Sequence, residues 1–289
     1  RQGSGAVYLT VFHPDFELLM DTKKINADEK IRLATLSLGA IIPDKFMELA
    51  EKNEVAYAFY PHTVYKKYGV SLDEIEMDEW YDKLVNDSDI RKKEINPRQM
   101  LTKIAQMQQE SGYPYVVYID TANREHTLKD VGIIKMSNLC CEIFQYQTPS
   151  EIEGYGGKNE WGQDISCNLG SLNIANVMDN KTIESTVETA IRALSFVADS
   201  TDIKPVPTVS NSNSKSHSIG LGAMNLHGYL VRENILYTSD DAIDFSNVFF
   251  AMVRYYSIKA SMKIAIERNQ TFEGFDKSEY VKGRNSKVL

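Results

Sequence analysis

The sequence predicts an α/β fold. Short β-rich runs alternate with helical stretches over short connections. Several of those helices carry recognisable start signals, and no repeat period or low-complexity linker interrupts the alternation. At 289 residues the chain can bury a sizeable core, as one large domain or two modest ones. Hydrophobic, charged and aromatic fractions of 43%, 25% and 10% are those of a folded globular chain rather than a disordered one.

Residues 6–12 form a continuous β-rich run that reads as a buried strand entered from a Gly-Ser-Gly turn. His13-Pro14-Asp15 breaks it, and residues 16–20 are a short helical candidate. The charged segment 21–32 reads as a solvated loop, or as a loop whose Lys and Arg reach a phosphate. A second strand spans 36–42 and stops at Pro43, which suits the first turn of a helix running to Ala50. Residues 57–61 are a short strand or turn, and the acidic region 71–89 holds a surface helix around 78–85. Asn96 is the N-cap of a helix with Pro97 at its first position and Gln99 at its third. Leu101, Ile104, Ala105 and Gln108 mark one face of it, and Gly112 ends it. Residues 115–120 are a strong strand.

Further on, 154–159 is turn chemistry without the spacing of a phosphate-binding loop. Residues 164–175 alternate polar and apolar, as a strand would. Val187, Ile191 and Leu194 give a helical stripe, and the polar run 210–218 reads as a mobile loop. Gly220 and Gly222 make a partial Gly-x-Gly, which speaks for close backbone packing more than for a nucleotide. Ser239 can cap a long helix with Phe245, Val248, Phe249, Met252 and Tyr256 on one stripe.

Composition excludes several function classes. Net charge is −8, with basic residues interspersed among acidic ones, so no basic face for nucleic acid is evident. No apolar run approaches the ~18–20 residues of a membrane span, and no signal-peptide core precedes residue 6. Three cysteines, an odd count, argue against a disulfide framework and fit a reducing cytoplasm. The five histidines are scattered, with no His-x-x-x-His or Cys-x-x-Cys pair, so a metal site has little support. No base is visible beside a thiol for a Cys-His hydrolase.

The chemistry concentrates near the middle, in Asn138-Leu139-Cys140-Cys141-Glu142. In an extended backbone, Asn138, Cys140 and Glu142 share one face, and Leu139, Cys141 and Ile143 the other. An amide, a thiol and a carboxylate in one row form a catalytic set, and the opposite face can anchor in a core. The plain alternative is that the cysteines are small buried hydrophobes and the polar residues ordinary surface.

Read with its surroundings, this stretch closely resembles the large (catalytic) subunit of aerobic ribonucleotide reductases, with class Ib of bacteria and phages the best match. The family signature Asn-x-Cys-x-Glu stands here as Asn138, Cys140 and Glu142. The run Asp164-Ile165-Ser166-Cys167-Asn168-Leu169-Gly170-Ser171 is similar to the segment carrying one of the family's two reducing cysteines. Its Cys167 follows Cys140 at the class Ib spacing. Residues 1–6, 112–115 and 218–225 also resemble the family.

The resemblance implies reduction of ribonucleoside diphosphates to deoxyribonucleotides for DNA replication. A thiyl radical at Cys140 would take the ribose 3′ hydrogen, Glu142 would accept the 3′-hydroxyl proton, and Asn138 would hydrogen-bond the sugar or the carboxylate. Cys167 would be one of the reducing thiols, and Leu139 and Cys141 would complete the substrate-facing stretch. The implied fold is a ten-stranded α/β barrel of two half-barrels. Residues 1–136 would belong to the first half, 137–143 would form the central finger loop, and 144–289 would begin the second half. Segment 21–35 would be the loop that relays a deoxynucleotide or ATP effector to base choice.

The resemblance implies no directly bound cofactor. The radical would come from an iron- or manganese-containing small subunit, and the electrons from a dithiol reductant of the thioredoxin or glutaredoxin type. The complete subunit would be a homodimer. The second reducing cysteine is expected upstream of Arg1. The tyrosine pair of the radical relay, a phosphate-binding Ser/Thr segment and a C-terminal cysteine pair are expected beyond Leu289. A partial barrel alone is expected to be poorly soluble, because it exposes strand edges and apolar faces. Two other readings remain open at this point: a non-catalytic nucleotide-binding or structural remnant of the same subunit, and a cobalamin-dependent class II reductase.

Overall fold

A three-stranded parallel sheet organises the first half of the chain, seen in a computed structural model that describes residues 3–154 and 156–283. Two units emerge, Arg1–Tyr146 and Gln147–Leu289, and each is described by itself.

The first unit runs β1 (Ala6–Thr10), α1 (Phe16–Asp21), β2 (Ser37–Ile42), α2 (Asp44–Lys52), β3 (Ala56–Phe59) and α3 (Pro61–Tyr68). It continues through α4 (Met77–Asn86), β4 (Lys92–Ile95), α5 (Pro97–Ser111), β5 (Tyr115–Tyr118) and α6 (Ile119–Glu125). β2 lies between β1 and β5 with all three parallel, so Tyr8, Gly39 and Tyr115 fall in one row across the sheet. The next row, Leu9, Ala40 and Val116, faces the helices and belongs to the core. Phe12 anchors that core, 5.8 Å from Phe46 edge-on and 5.4 Å from Tyr81. Each such ring buried contributes roughly 1.5–3 kcal/mol.

The N-cap of α5 is as expected. The Asn96 side chain accepts the Gln99 N–H at 2.9 Å, and Gly112 closes the helix at φ +76°. Its buried face is turned from the expected one: Pro97, Met100, Ile104 and Met107 point inward, whereas Ala105 and Gln108 are exposed. Flexible methionines supply the stripe. Three elements of this unit were not foreseen, and one of them, α6, begins at Ile119 within the expected strand 115–120, so that β5 ends at Tyr118. α3 follows Pro61 at its first position, and β4 pairs antiparallel with β3 although three of its four residues are charged. An edge strand tolerates such charge, since only one side is paired.

The second unit contains β6 (Leu169–Asn173), α7 (Ile174–Asn180), α8 (Ile183–Ser200), α9 (Pro207–Ser216), β7 (Gly220–Met224), α10 (Leu226–Arg232) and α11 (Asp240–Arg268). β6 and β7 are parallel, with Gly170 opposite Leu221. Val187, Ile191 and Leu172 pack with Phe249, Val253 and Ile264 of α11. The Ser239 hydroxyl accepts the Ala242 N–H and caps α11 as read from sequence, but Val248 is 60% exposed and leaves the expected stripe. Salt bridges Lys259–Glu184 (2.7 Å), Lys263–Glu188 (2.6 Å) and Arg192–Glu267 (2.7 Å) join α11 to α8.

Two expectations fail here. The alternating stretch 164–175 is a strand only over Leu169–Asn173, and helix α7 begins at Ile174. The polar run 210–218 is not a loop, because most of it lies in α9 with Ser212 and Asn213 buried. The class is mixed α/β as predicted. Among the described residues the strands form three separate sheets and no closed barrel. Among the same residues no helix is long and apolar enough to cross a membrane.

Candidate functional site

The motif around Cys140 is a turn and not the extended row the alternation suggests. The Asn138 carbonyl accepts the Cys141 N–H at 3.2 Å, and Cys141 lies in the left-handed region at φ +63°. A non-glycine residue held there is uncommon and marks a constrained loop. The Asn138 side-chain oxygen accepts two backbone N–H groups, from Glu142 at 3.0 Å and Ile143 at 3.1 Å. This is the local side-chain-to-backbone bonding at which Asn excels, and it competes with strand formation. The Ser137 hydroxyl donates to the Ile143 carbonyl at 2.7 Å and closes the loop from the other side.

This geometry redistributes the motif. Cys140 and Glu142 are exposed, as is Leu139. Cys141 is half-buried, with its sulfur 3.9 Å from the Val116 carbonyl of β5. Leu139 therefore does not anchor the segment. The anchor is Tyr8 of β1, whose hydroxyl donates to the Asn138 carbonyl at 2.6 Å. Burial raises the Tyr8 hydroxyl well above its ordinary value, and the neighbouring Cys141 thiol adds to the shift. Sequence reading missed Tyr8, which looks like any strand tyrosine.

In the second unit, Cys167 is exposed on the irregular segment leading into β6. Its two neighbours are tied down. The Ser166 hydroxyl donates to the Asn213 side-chain oxygen at 2.7 Å, and the Asn168 amide donates to the same oxygen at 3.1 Å. Asn168 also donates to the Ser218 carbonyl at 3.0 Å, and its own carbonyl accepts the Gly220 N–H at 2.9 Å. Asn213 is thus the hub that fixes the residues on both sides of Cys167.

A cleft of about 1160 Å³ opens at the C-terminal ends of the first unit's parallel strands, where open α/β sheets commonly receive ligands. Tyr8, Thr10, His13, Asp78, Asp120 and Arg124 are among its lining residues. The motif residues Asn138, Cys140 and Glu142 do not line it. Carboxylate oxygens of Asp44, Asp78 and Asp120 lie within 4.8 Å of one another at this end of the sheet, a grouping sequence reading did not find. Asp44 pairs with Arg124 at 2.6 Å, and Asp120 accepts the Asp44 N–H at 2.6 Å. Burial raises the Asp120 carboxyl, which the Asp44 N–H partly offsets. Asp120 thereby caps the first turn of α2. Segment 21–35 is mostly exposed turns, with Lys23 as its inward point: that ammonium donates to the Ala34 carbonyl at 3.2 Å and lies 4.6 Å from the Tyr113 ring centre.

Nearly the whole chain is similar to known proteins. The chain is 50% identical over 283 residues to the ribonucleoside-diphosphate reductase subunit alpha of Bacillus subtilis (strain 168), covering 98% of this chain and 40% of that protein. It is 44% identical to the subunit alpha of Mycoplasma pneumoniae, covering 98% of this chain and 39% of that protein. It is 30% identical to that of Chlamydia pneumoniae, covering 98% of this chain and 26% of that protein. The chain thus spans about two fifths or less of the length of these relatives. The family model described as the ribonucleotide reductase barrel domain matches residues 1–287. With the family matched from end to end, this chain belongs to the ribonucleotide reductase barrel-domain family.

Proposed function

We propose that this chain is the cysteine-bearing core segment of a ribonucleoside-diphosphate reductase catalytic subunit, of the class Ib kind. The observation that carries the reading is the family match across residues 1–287, a span that includes Asn138, Cys140, Glu142 and Cys167. In this reading a thiyl radical on Cys140 takes the 3′ hydrogen of the ribose, forming the S–H bond. The exposed Glu142 carboxylate accepts the 3′-hydroxyl proton as general base, and the 2′-hydroxyl takes a proton from one thiol of the reducing pair and leaves as water. Cys167 and a second thiol make up that pair: they supply two electrons, one proton for the water and the hydrogen that fills C2′, and close a disulfide, while Glu142 returns its proton to the 3′ oxygen and Cys140 its hydrogen to C3′. Asn138 shapes the loop through its side-chain oxygen. The radical comes from a metal-containing small subunit, and a thioredoxin- or glutaredoxin-type dithiol reopens the disulfide.

We place residues 137–143 as the finger loop of a ten-stranded barrel and segment 21–35 as the effector loop. Cys140 is exposed in this chain, whereas a thiyl radical needs a site closed to water. Bound substrate or neighbouring protein would supply that closure. The test is deoxynucleotide formation by the full-length reductase carrying these residues, with small subunit and dithiol. Cys140→Ser should abolish turnover, while binding of the ribonucleoside diphosphate persists. Full turnover by that variant would overturn the assignment. A requirement for adenosylcobalamin in place of the small subunit would favour the class II reading.

A further inference from the structure

The loop carrying Cys140 lies against one strand row of the sheet, and that row is built unusually. Tyr8, Gly39 and Tyr115 sit side by side on β1, β2 and β5. The middle position has no side chain, and the Tyr8 ring occupies the space. A Cβ built on Gly39 would fall 2.1 Å from Cδ1 and 2.2 Å from Cε1 of Tyr8, closer than any Cβ contact can be. Gly39 has ordinary strand dihedrals and is not among the residues with positive φ, so backbone freedom does not require a glycine there. The close approach of the tyrosine ring does.

Laid across β2 in this way, the ring delivers its hydroxyl to the Asn138 carbonyl at 2.6 Å. That carbonyl also accepts the Cys141 N–H and closes the turn. The phenol therefore bonds the hinge atom of the loop, one residue from the Asn138 side-chain oxygen's contacts with Glu142 and Ile143.

We propose that Tyr8, seated on Gly39, is a positioning residue that holds the Asn138–Glu142 turn on the sheet and so sets where Cys140 and Glu142 meet the substrate. The proposal rests on the reductase reading for the word substrate, but the anchoring itself does not. The phenol donates one neutral hydrogen bond to the turn, so its removal should loosen the loop without unfolding the unit. The ring would remain as a filler of the Gly39 space. Its effect on the reaction would come through geometry, since small displacements of reacting groups cost rate steeply.

Tyr8→Phe in the full-length reductase tests this. Amide hydrogen exchange at Cys141, Glu142 and Ile143 should speed up by roughly three- to tenfold, the range one lost neutral hydrogen bond allows, while exchange in α5 and α11 stays unchanged. The value of kcat should fall by about tenfold or more, with KM for the ribonucleoside diphosphate within about twofold. Gly39→Ala keeps the hydroxyl and evicts the ring, and should give the same exchange signature. Because Gly39→Ala can disrupt the sheet, Tyr8→Phe carries the decision. Unchanged exchange at all three amides in Tyr8→Phe would overturn the anchoring, whatever the activity. Faster exchange with unchanged kcat would overturn the positioning role. If Cys140→Ser kept full turnover, the reductase reading would fail while the exchange result still stood.

Discussion

The two cysteine segments are held differently. Around Cys140 an asparagine bonds the backbone that follows it, while the Tyr8 phenol and the Cys141 sulfur, near the Val116 carbonyl, tie the turn to the sheet. Around Cys167 the fixing side chain comes wholly from a segment distant in sequence. Asn213, on α9, takes hydrogens from both Ser166 and Asn168, and is itself only 3% exposed. The first loop is thus held by its own asparagine and a few contacts to the sheet, whereas the second is fixed by a buried amide. That difference suits the proposed tasks. A thiyl-bearing loop must adjust to a substrate, and a reducing thiol must return to the same place each cycle.

The largest expected effect comes from cutting the lock. Asn213→Ala removes the buried acceptor shared by the half-buried Ser166 hydroxyl and the Asn168 amide, which keeps its bond to the Ser218 carbonyl. A loss of about 1–3 kcal/mol in denaturant unfolding is expected, together with faster alkylation of Cys167 and unchanged alkylation of Cys140. Equal stability of the variant and the parent would show that the network is ornamental and break the contrast.

Gly39→Ala strikes the other region by overpacking. The added methyl meets the Tyr8 ring at 2.1 Å, and a misfit of this kind costs about 1–3 kcal/mol. Cys140 and Cys141 should become more reactive toward iodoacetamide, with Cys167 unaffected. A variant as stable as the parent, with parental thiol reactivity, would mean that the ring has another seat.

Asn138→Ala should cost less, about 1–2 kcal/mol, because the two N–H groups it frees, on Glu142 and Ile143, can reach water. The expected readout is faster exchange at those two amides, with exchange around Cys167 unchanged. Parental exchange at both would show that the turn is held without that side chain.

What sequence could reveal follows the same division. The α5 cap was readable because Asn96, Pro97 and Gln99 act on their own neighbours. The three parallel strands were readable from unbroken apolar runs. Alternation around Cys140 predicts an extended chain, whereas Asn138 diverts the backbone into its own hydrogen bonds. The polarity of α9 predicts exposure, yet Ser212 and Asn213 are buried, and Asn213 meets its partner Asn168 from 45 residues away in the chain. Tyr8 and Gly39 could not be paired without the register that sets them side by side. The candidate residues were nameable from their pattern, but what fixes them in space is written in contacts between segments.

The smallest effect is a proton. Burial and the Cys141 thiol raise the Tyr8 hydroxyl above its ordinary value of 10.0. The folded state thus holds this proton more tightly than the unfolded chain does. By linkage, the stability it carries is fully present below about pH 10 and is lost as pH climbs from there toward the raised folded value. Other tyrosines titrate in the same range, so the parent alone is uninformative. The comparison with Tyr8→Phe isolates one group: above pH 10 the parent should lose unfolding free energy more steeply than the variant, and below pH 9 the two curves should run parallel. Matching slopes up to pH 11 would mean that neither burial nor the Cys141 thiol shifts this phenol in the folded protein.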